Sequence, residues 1–211
     1  LHELGVPYGE DRLLYWLQAL QPQEFFVADY WEDKTESIVS AKRWSSIQHG
    51  FPNVTFIAVV QGKSYAEALE CYQTYKDLGY KKITYSYGAS YYNKIVEHPN
   101  KNLGKALGRI KVITDLYKKG ILTPYDRVHL LGCQVPQEFG WYKDMPFIES
   151  IDTSNPIMAA MEDKMYKELL DNNNISYKSI KPSAIGVSLI IESIVYKLKE
   201  QNELEQNSGT T

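Results

Sequence analysis

Apolar and polar positions alternate between two rhythms along this chain. Short apolar runs of about five to eight residues, rich in Val, Ile, Phe and Tyr, each break at a polar residue or a glycine. They are EFFVAD, ending at Asp29; TFIAVVQG, ending at Gln61 and Gly62; KITYSYG, ending at Gly88; VHLLGC, ending at Cys133; and PFIESIDTS, which carries Asp152. Between them, apolar residues recur every three or four positions. Continuous apolar runs separated by helical periodicity are how parallel strands covered by helices read. The spacing predicts strands over residues 25–29, 55–61, 82–87, 127–133 and 147–152.

The helical stretches carry their own start and stop signals. Residues 11–20 place Leu13, Leu14, Trp16, Leu17 and Leu20 at helical spacing and stop before Pro22, which disfavours a helical conformation at Gln21. Residues 34–48 form a second helix. The third opens at Ser64 with Glu67 three places on, a capping-box spacing, and stops at Gly79. Residues 101–119 read as a long helix closed by Lys118, Lys119 and Gly120, and 136–141 as a short one. Helices are also expected over 155–170 and 183–200, with a short strand at 176–180. This order predicts an α/β fold of parallel strands with outer helices, either an open doubly wound sheet or a barrel. With five strands and a doubtful sixth, the expectation is a reduced or incomplete TIM-like (β/α) barrel: one domain over 1–200 and a flexible tail at 201–211.

Composition narrows the class without naming a reaction. The 211 residues are 44% hydrophobic and 23% charged, enough for a sizeable core, and the net charge of −3 gives no global field to attract a polyanion. Cys71 and Cys133 fit neither a disulfide framework nor zinc-ligand spacing, so no metal or other cofactor is expected. No apolar run reaches 18 residues and no charged-then-apolar leader is present, so a soluble, cytoplasmic protein without membrane contact is expected.

In α/β folds function sits at the carboxyl ends of the strands, so the run-ending residues are the candidate site. Asp29 can accept two N–H donors from a guanine edge, or cap the following helix. Gln61 can donate and accept at once, and Gly62 admits close backbone approach; the pair can equally be a solvent-facing turn. Gly88 can offer its N–H to a ligand or simply turn the chain. Tyr87, Tyr91 and Tyr92 beside it can stack on a base or ribose. Asp152 can attack a sugar carbon as a covalent nucleophile or cap the next helix.

Taken in order, FFVADYWEDKTES, FIAVVQGKSYAEALE, ITYSYGA, HLLGCQVPQEF and ESIDTSNPI resemble the tRNA-guanine transglycosylase superfamily, including its archaeal-type and phage DNA-modifying 7-deazaguanine members. The resemblance spans roughly residues 20–170. It implies that Asp29 and Gln61 with Gly62 bind the guanine or 7-deazaguanine, that Gly88 contributes backbone contacts, that Leu131-Gly132 and Pro136 match a glycine-containing segment, and that Asp152 is the nucleophile. Tyr87 and Cys133 complete the substrate-binding set. Two departures stand out. The family's zinc site of three cysteines and a histidine cannot be built from two cysteines, and no DSGG-like segment bearing a further Asp is present.

From residue 91 to 120 bases outnumber acids, and Lys101, Lys105 and Arg109, four apart on one predicted helix, can track phosphates or form a solvated face. The leading expectation is therefore a pentosyltransferase that exchanges guanine for a 7-deazaguanine in nucleic acid, DNA rather than tRNA, acting on an extruded nucleotide. The competing reading is a non-catalytic binder that sequesters a nucleotide or nucleotide-derived signal in the same pocket. A hydrolytic nucleoside N-glycosidase is the third. The expected partner is a purine or 7-deazapurine base or nucleotide, with DNA or RNA beside it, and the sequence is compatible with a homo-oligomer.

Overall fold

A computed structural model describes residues 9–133, 135, 138–154 and 157. The elements run α1 (Glu10–Leu20), β1 (Glu24–Phe26), α2 (Lys34–Ile47), β2 (Thr55–Val60), α3 (Tyr65–Asp77), β3 (Lys82–Ser86), α4 (Tyr92–Ile95), α5 (Lys101–Lys118), β4 (Arg127–Leu131), α6 (Glu138–Trp141) and β5 (Ile148–Ile151). Helix starts follow local chemistry. Asp33 accepts from Glu36 N at 3.0 Å, Ser64 from Glu67 N at 3.2 Å, and Asn100 from both Asn102 N and Leu103 N. Glu67 closes its box one residue early, on the Lys63 N–H rather than that of Ser64. The elements and tail expected over 155–170, 176–180, 183–200 and 201–211 lie outside the described residues.

All four strand pairings are parallel, and the sheet order is β1-β2-β3-β4-β5. A doubly wound sheet reverses direction part-way; this one does not, so every crossover steps to the adjacent strand. Alternation divides the strand side chains between two faces. Phe56, Ala58 and Val60, Ile83 and Tyr85, and Val128 and Leu130 pack with Leu17, Trp44, Cys71, Tyr72, Ile113 and Leu116 from the helices in one core. The other face carries Phe26, Ile57, Thr84 and His129, above a charged group at the amino ends of the strands. There the buried Lys82 bonds Glu24 (2.7 Å) and Glu149 (3.2 Å), and Arg127 bonds Glu149 (2.7 Å).

This second face is concave. Phe26 lies on β1 and His129 on β4, three strand spacings apart, which on a flat sheet is about 14 Å. Their rings meet edge to face with centroids 5.3 Å apart. The sheet therefore coils toward the face opposite the helices of the core. Among the described residues it is not closed: β1 and β5 do not pair with each other.

The helix layer depends on a close approach at Gly108. A Cβ there would lie 2.4 Å from the carbonyl oxygen of Tyr92 and 2.7 Å from its Cβ, so α4 rests directly on the α5 backbone. Gly108→Ala should gain about 1 kcal/mol in helix propensity. The overlap with backbone reverses the sign, and a net loss of about 1–3 kcal/mol is expected in denaturant unfolding.

Candidate functional site at the strand ends

The hydrogen-bonded ladder stops short of the residues that ended each apolar run. Asp29, Gln61, Gly88, Cys133 and Asp152 all lie just beyond it, on the carboxyl side of the sheet. The loop after β1 folds across the end of β2 onto β3. Gln61, itself buried, donates from Nε2 to Asp29 Oδ2 at 2.5 Å and accepts the Glu32 N–H on Oε1 at 2.9 Å. Both ends of the amide are thus assigned, and its orientation is fixed. Glu32 continues the loop by accepting the Ser90 N–H at 2.7 Å. Burial opposes ionisation of Glu32, but that bond together with Lys105 and Lys63 holds its carboxyl below the ordinary range.

Gly62 is a glycine for packing reasons, and Gly88 lies against a side chain. A Cβ on Gly62 would come within 2.8 Å of Glu67 Cβ and 3.0 Å of Ala68 N, because the start of α3 sits against it. On Gly88 it would come within 2.1 Å of Trp31 Cη2. The expectation of an open Gly88 backbone is corrected accordingly: the Trp31 ring covers it, its N–H lies on Ser86 Oγ at 3.2 Å, and its carbonyl accepts from Lys105 Nζ at 3.1 Å. Trp31, 45% exposed, is the aromatic surface at this end of the sheet.

The tyrosines expected to stack on a base do something else. Tyr87 donates to Asn102 O at 3.0 Å, and its ring lies against Lys105 and Arg109, so it fastens α5 to β3. Tyr91 and Tyr92 are buried.

The basic row also divides. Lys101 is exposed and Lys105 half-buried on Gly88 O, where burial lowers its pKa against the opposing pull of Glu32. Arg109 is 0% exposed and cannot reach a phosphate backbone. Its guanidinium bonds Glu138 through Nε (2.9 Å), Tyr85 O and Leu131 O through one terminal nitrogen (3.2 Å each), and Gly132 O through the other (2.7 Å). Burial works against this charge, yet Glu138 outweighs it and holds the guanidinium protonated. Cys133 belongs to the same buried cluster: its thiol lies on Glu138 Oε2 at 3.4 Å and on Val135 O at 3.3 Å. Burial, reinforced by Glu138, pushes it well above the ordinary thiol range, so it is a neutral donor.

Asp152 stands at the other side of the mouth. Its Oδ1 accepts the Gly132 N–H at 2.6 Å and lies 3.2 Å from His129 Nε2, while His129 Nδ1 lies 2.8 Å from Ser150 Oγ. Gly132 has φ +73°, the left-handed conformation that aims its N–H at the carboxylate. Partial burial raises the Asp152 pKa, but the His129 contact and the Gly132 N–H outweigh it and hold the carboxyl below the ordinary Asp range. The side-chain exposures, 11% for His129 and 55% for Asp152, set the direction of this chain of groups. A serine nucleophile would need Ser150 outermost. Here Asp152 faces solvent, with His129 behind it.

No protein-family model and no curated protein matches the chain.

Three participants escaped the sequence reading. Trp31 stood in plain view in the loop directly after the first run, but nothing in DYWEDK says that its ring lands two strands away. His129 and Ser150 lay inside predicted strands, and nothing in either run pairs them. Among the described residues no three His, Cys, Asp or Glu side chains converge to hold a metal ion, and no helix is long and apolar enough to cross a membrane. A groove of about 690 Å³, lined in part by His49, Phe51, Asn53 and Lys81, lies at the opposite, amino end of the sheet.

Proposed function

We propose that the strand-end site binds a guanine-like base and exchanges it in nucleic acid, with Asp152 as the nucleophile, on a sheet that forms part of a (β/α) barrel wall. The supporting observation is the direction of the Ser150–His129–Asp152 chain, with an ionised, outward-facing carboxylate at its end. The coil of the sheet adds to it. On a flat sheet β1 and β5 would stand about 19 Å apart, too far for one nucleotide to touch Asp29 and Asp152 together. The contact between Phe26 and His129 shortens that span.

In this reading the Asp29 carboxylate accepts N–H donors from the base, and the second amide hydrogen of Gln61 is directed to a base carbonyl. Asp152 Oδ2 forms a bond to the anomeric carbon as the glycosidic C–N bond breaks. The departing base keeps the electron pair and takes up a proton. The incoming 7-deazaguanine then loses a proton, attacks the same carbon, and returns the electron pair to Asp152. Two displacements restore the original configuration. An extruded nucleotide is required, and exposed Lys101 is placed for a single phosphate contact rather than a row of them.

The test is incorporation of labelled guanine into duplex DNA and, separately, into tRNA. Incorporation into DNA is expected, and Asp29→Asn should raise the KM for the base about 10- to 100-fold, the cost of removing a charged hydrogen-bond acceptor. No incorporation into either polymer by the parent chain overturns the exchange reading. Retention of an unmodified nucleotide, unaffected by Asp152→Asn, would establish a binder in its place.

A further inference from the structure

Among the described residues the strand ladder has one irregularity, and it lies beside Asp152. Val128 pairs with Ile148, but His129 pairs with Ser150 and Leu130 with Ile151, so Glu149 is an extra residue in β5. Had the ladder run regularly, Glu149 would oppose His129, and both Ser150 and Asp152 would project toward the helices. The bulge inverts that alternation beyond it. Ser150 and Asp152 thereby come to the concave face, and Glu149 turns to Arg127 and Lys82 at the amino end.

What the bulge creates is a support for one carboxylate oxygen. His129 is buried, its ring edge-to-face with Phe26, with Ser150 at one nitrogen and Asp152 at the other. The charged groups nearest on the same face are Lys82 and Arg127 with Glu24 and Glu149, one strand step toward the amino end and paired among themselves. A serine hydroxyl rotates freely, so Ser150 can donate to Nδ1 and leave the proton on Nε2, facing Asp152. Oδ1 then has two donors, His129 Nε2–H and Gly132 N–H, and Oδ2 is the oxygen assigned to react.

We propose that His129, oriented by Ser150, is a positioning residue that fixes the Asp152 carboxylate with Oδ2 toward the mouth and stabilises it as the leaving group when the sugar–enzyme bond breaks. This rests on the exchange reading above. In the second displacement the C–O bond to Asp152 breaks, its electron pair returns to the carboxylate, and the charge shared with Oδ1 meets the two N–H donors. His129 touches neither base nor sugar.

Two readouts test it. In labelled-guanine exchange, His129→Phe should lower kcat about 10- to 100-fold, the cost of a hydrogen bond to a charged group, and leave the KM for the base within about twofold. His129→Gln, which retains an N–H near the Nε2 position, should recover part of that loss, and Ser150→Ala should show a smaller loss than His129→Phe. Independently of turnover, titration of the Asp152 carboxyl followed by ¹³C NMR should move upward in His129→Phe and much less in His129→Gln. An Asp152 titration unchanged in His129→Phe overturns the proposal, as does a loss carried by KM alone. If the parent exchanges nothing, the exchange reading falls, and the carboxyl titration still decides whether His129 acts on Asp152. Should His129→Phe fail to fold, Ser150→Ala and His129→Gln carry both measurements.

Discussion

Arg109→Met is expected to lower the free energy of unfolding by about 3–5 kcal/mol, the usual cost of removing one partner from a buried ion pair. For a chain of this size that corresponds to roughly 6–20 °C in Tm. Methionine fills most of the arginine volume, so the loss comes from polar groups. Glu138 would be left buried without its cation, and Tyr85 O, Leu131 O and Gly132 O would lose a donor at the ends of β3 and β4. Removing the stranded charge as well, in Arg109→Met/Glu138→Leu, should restore part of the stability. Recovery stays incomplete because Tyr142 Oη, 2.8 Å from Glu138 Oε1, and the Cys133 thiol then lose their acceptor. Urea unfolding of the parent, the single variant and the double variant measures both effects. A loss below about 1 kcal/mol for Arg109→Met would contradict the view that this pair fastens α5 to the sheet.

Asp152→Asn carries the largest expected effect on activity. Removing a nucleophile costs about 10⁴-fold or more in turnover, and labelled-guanine exchange should fall by at least that factor. Asparagine is nearly isosteric and keeps an oxygen to accept the Gly132 N–H, so unfolding should change by less than about 1 kcal/mol. The separation of the two numbers is the diagnostic. A cap-type role would leave exchange intact, because asparagine caps a helix as well as aspartate does. Exchange within tenfold of the parent would remove Asp152 from the chemistry.

How far the sequence could be read depended on the range of the forces involved. The three central strands were legible because a strand buried on both faces is apolar along most of its length, and Ser64, Gly79 and Gly120 marked helix ends through local backbone chemistry. The predicted strand ends ran past the ladder because pairing stops at Phe26, Val60 and Leu131, before the apolar runs do. The placing of Arg109 in a phosphate-tracking row failed for a geometric reason. Steps of four advance about 40° around a helix of 3.6 residues per turn, so the row winds from solvent at Lys101 into the core at Arg109. Its end is then fixed by Glu138, 29 residues away. The pairing of His129 with Asp152 was out of reach for a different reason. Period-two alternation assumes an unbroken ladder, and one extra residue in β5 reverses it.

The monotonic strand order also bears on how the chain folds. Each strand pairs with the one made just before it, so every ladder closes a loop of a few tens of residues and can form in the order of synthesis, without waiting for a distant segment. The edge-to-face contact of Phe26 with His129 is an exception, as is the ion pair of Glu24 with Arg127, since about a hundred residues separate the partners. It can form only after β2 and β3 have filled the space between. Assembly of the concave face is therefore a late event, and the carboxylate that His129 supports gains its geometry after the ladders on which it stands.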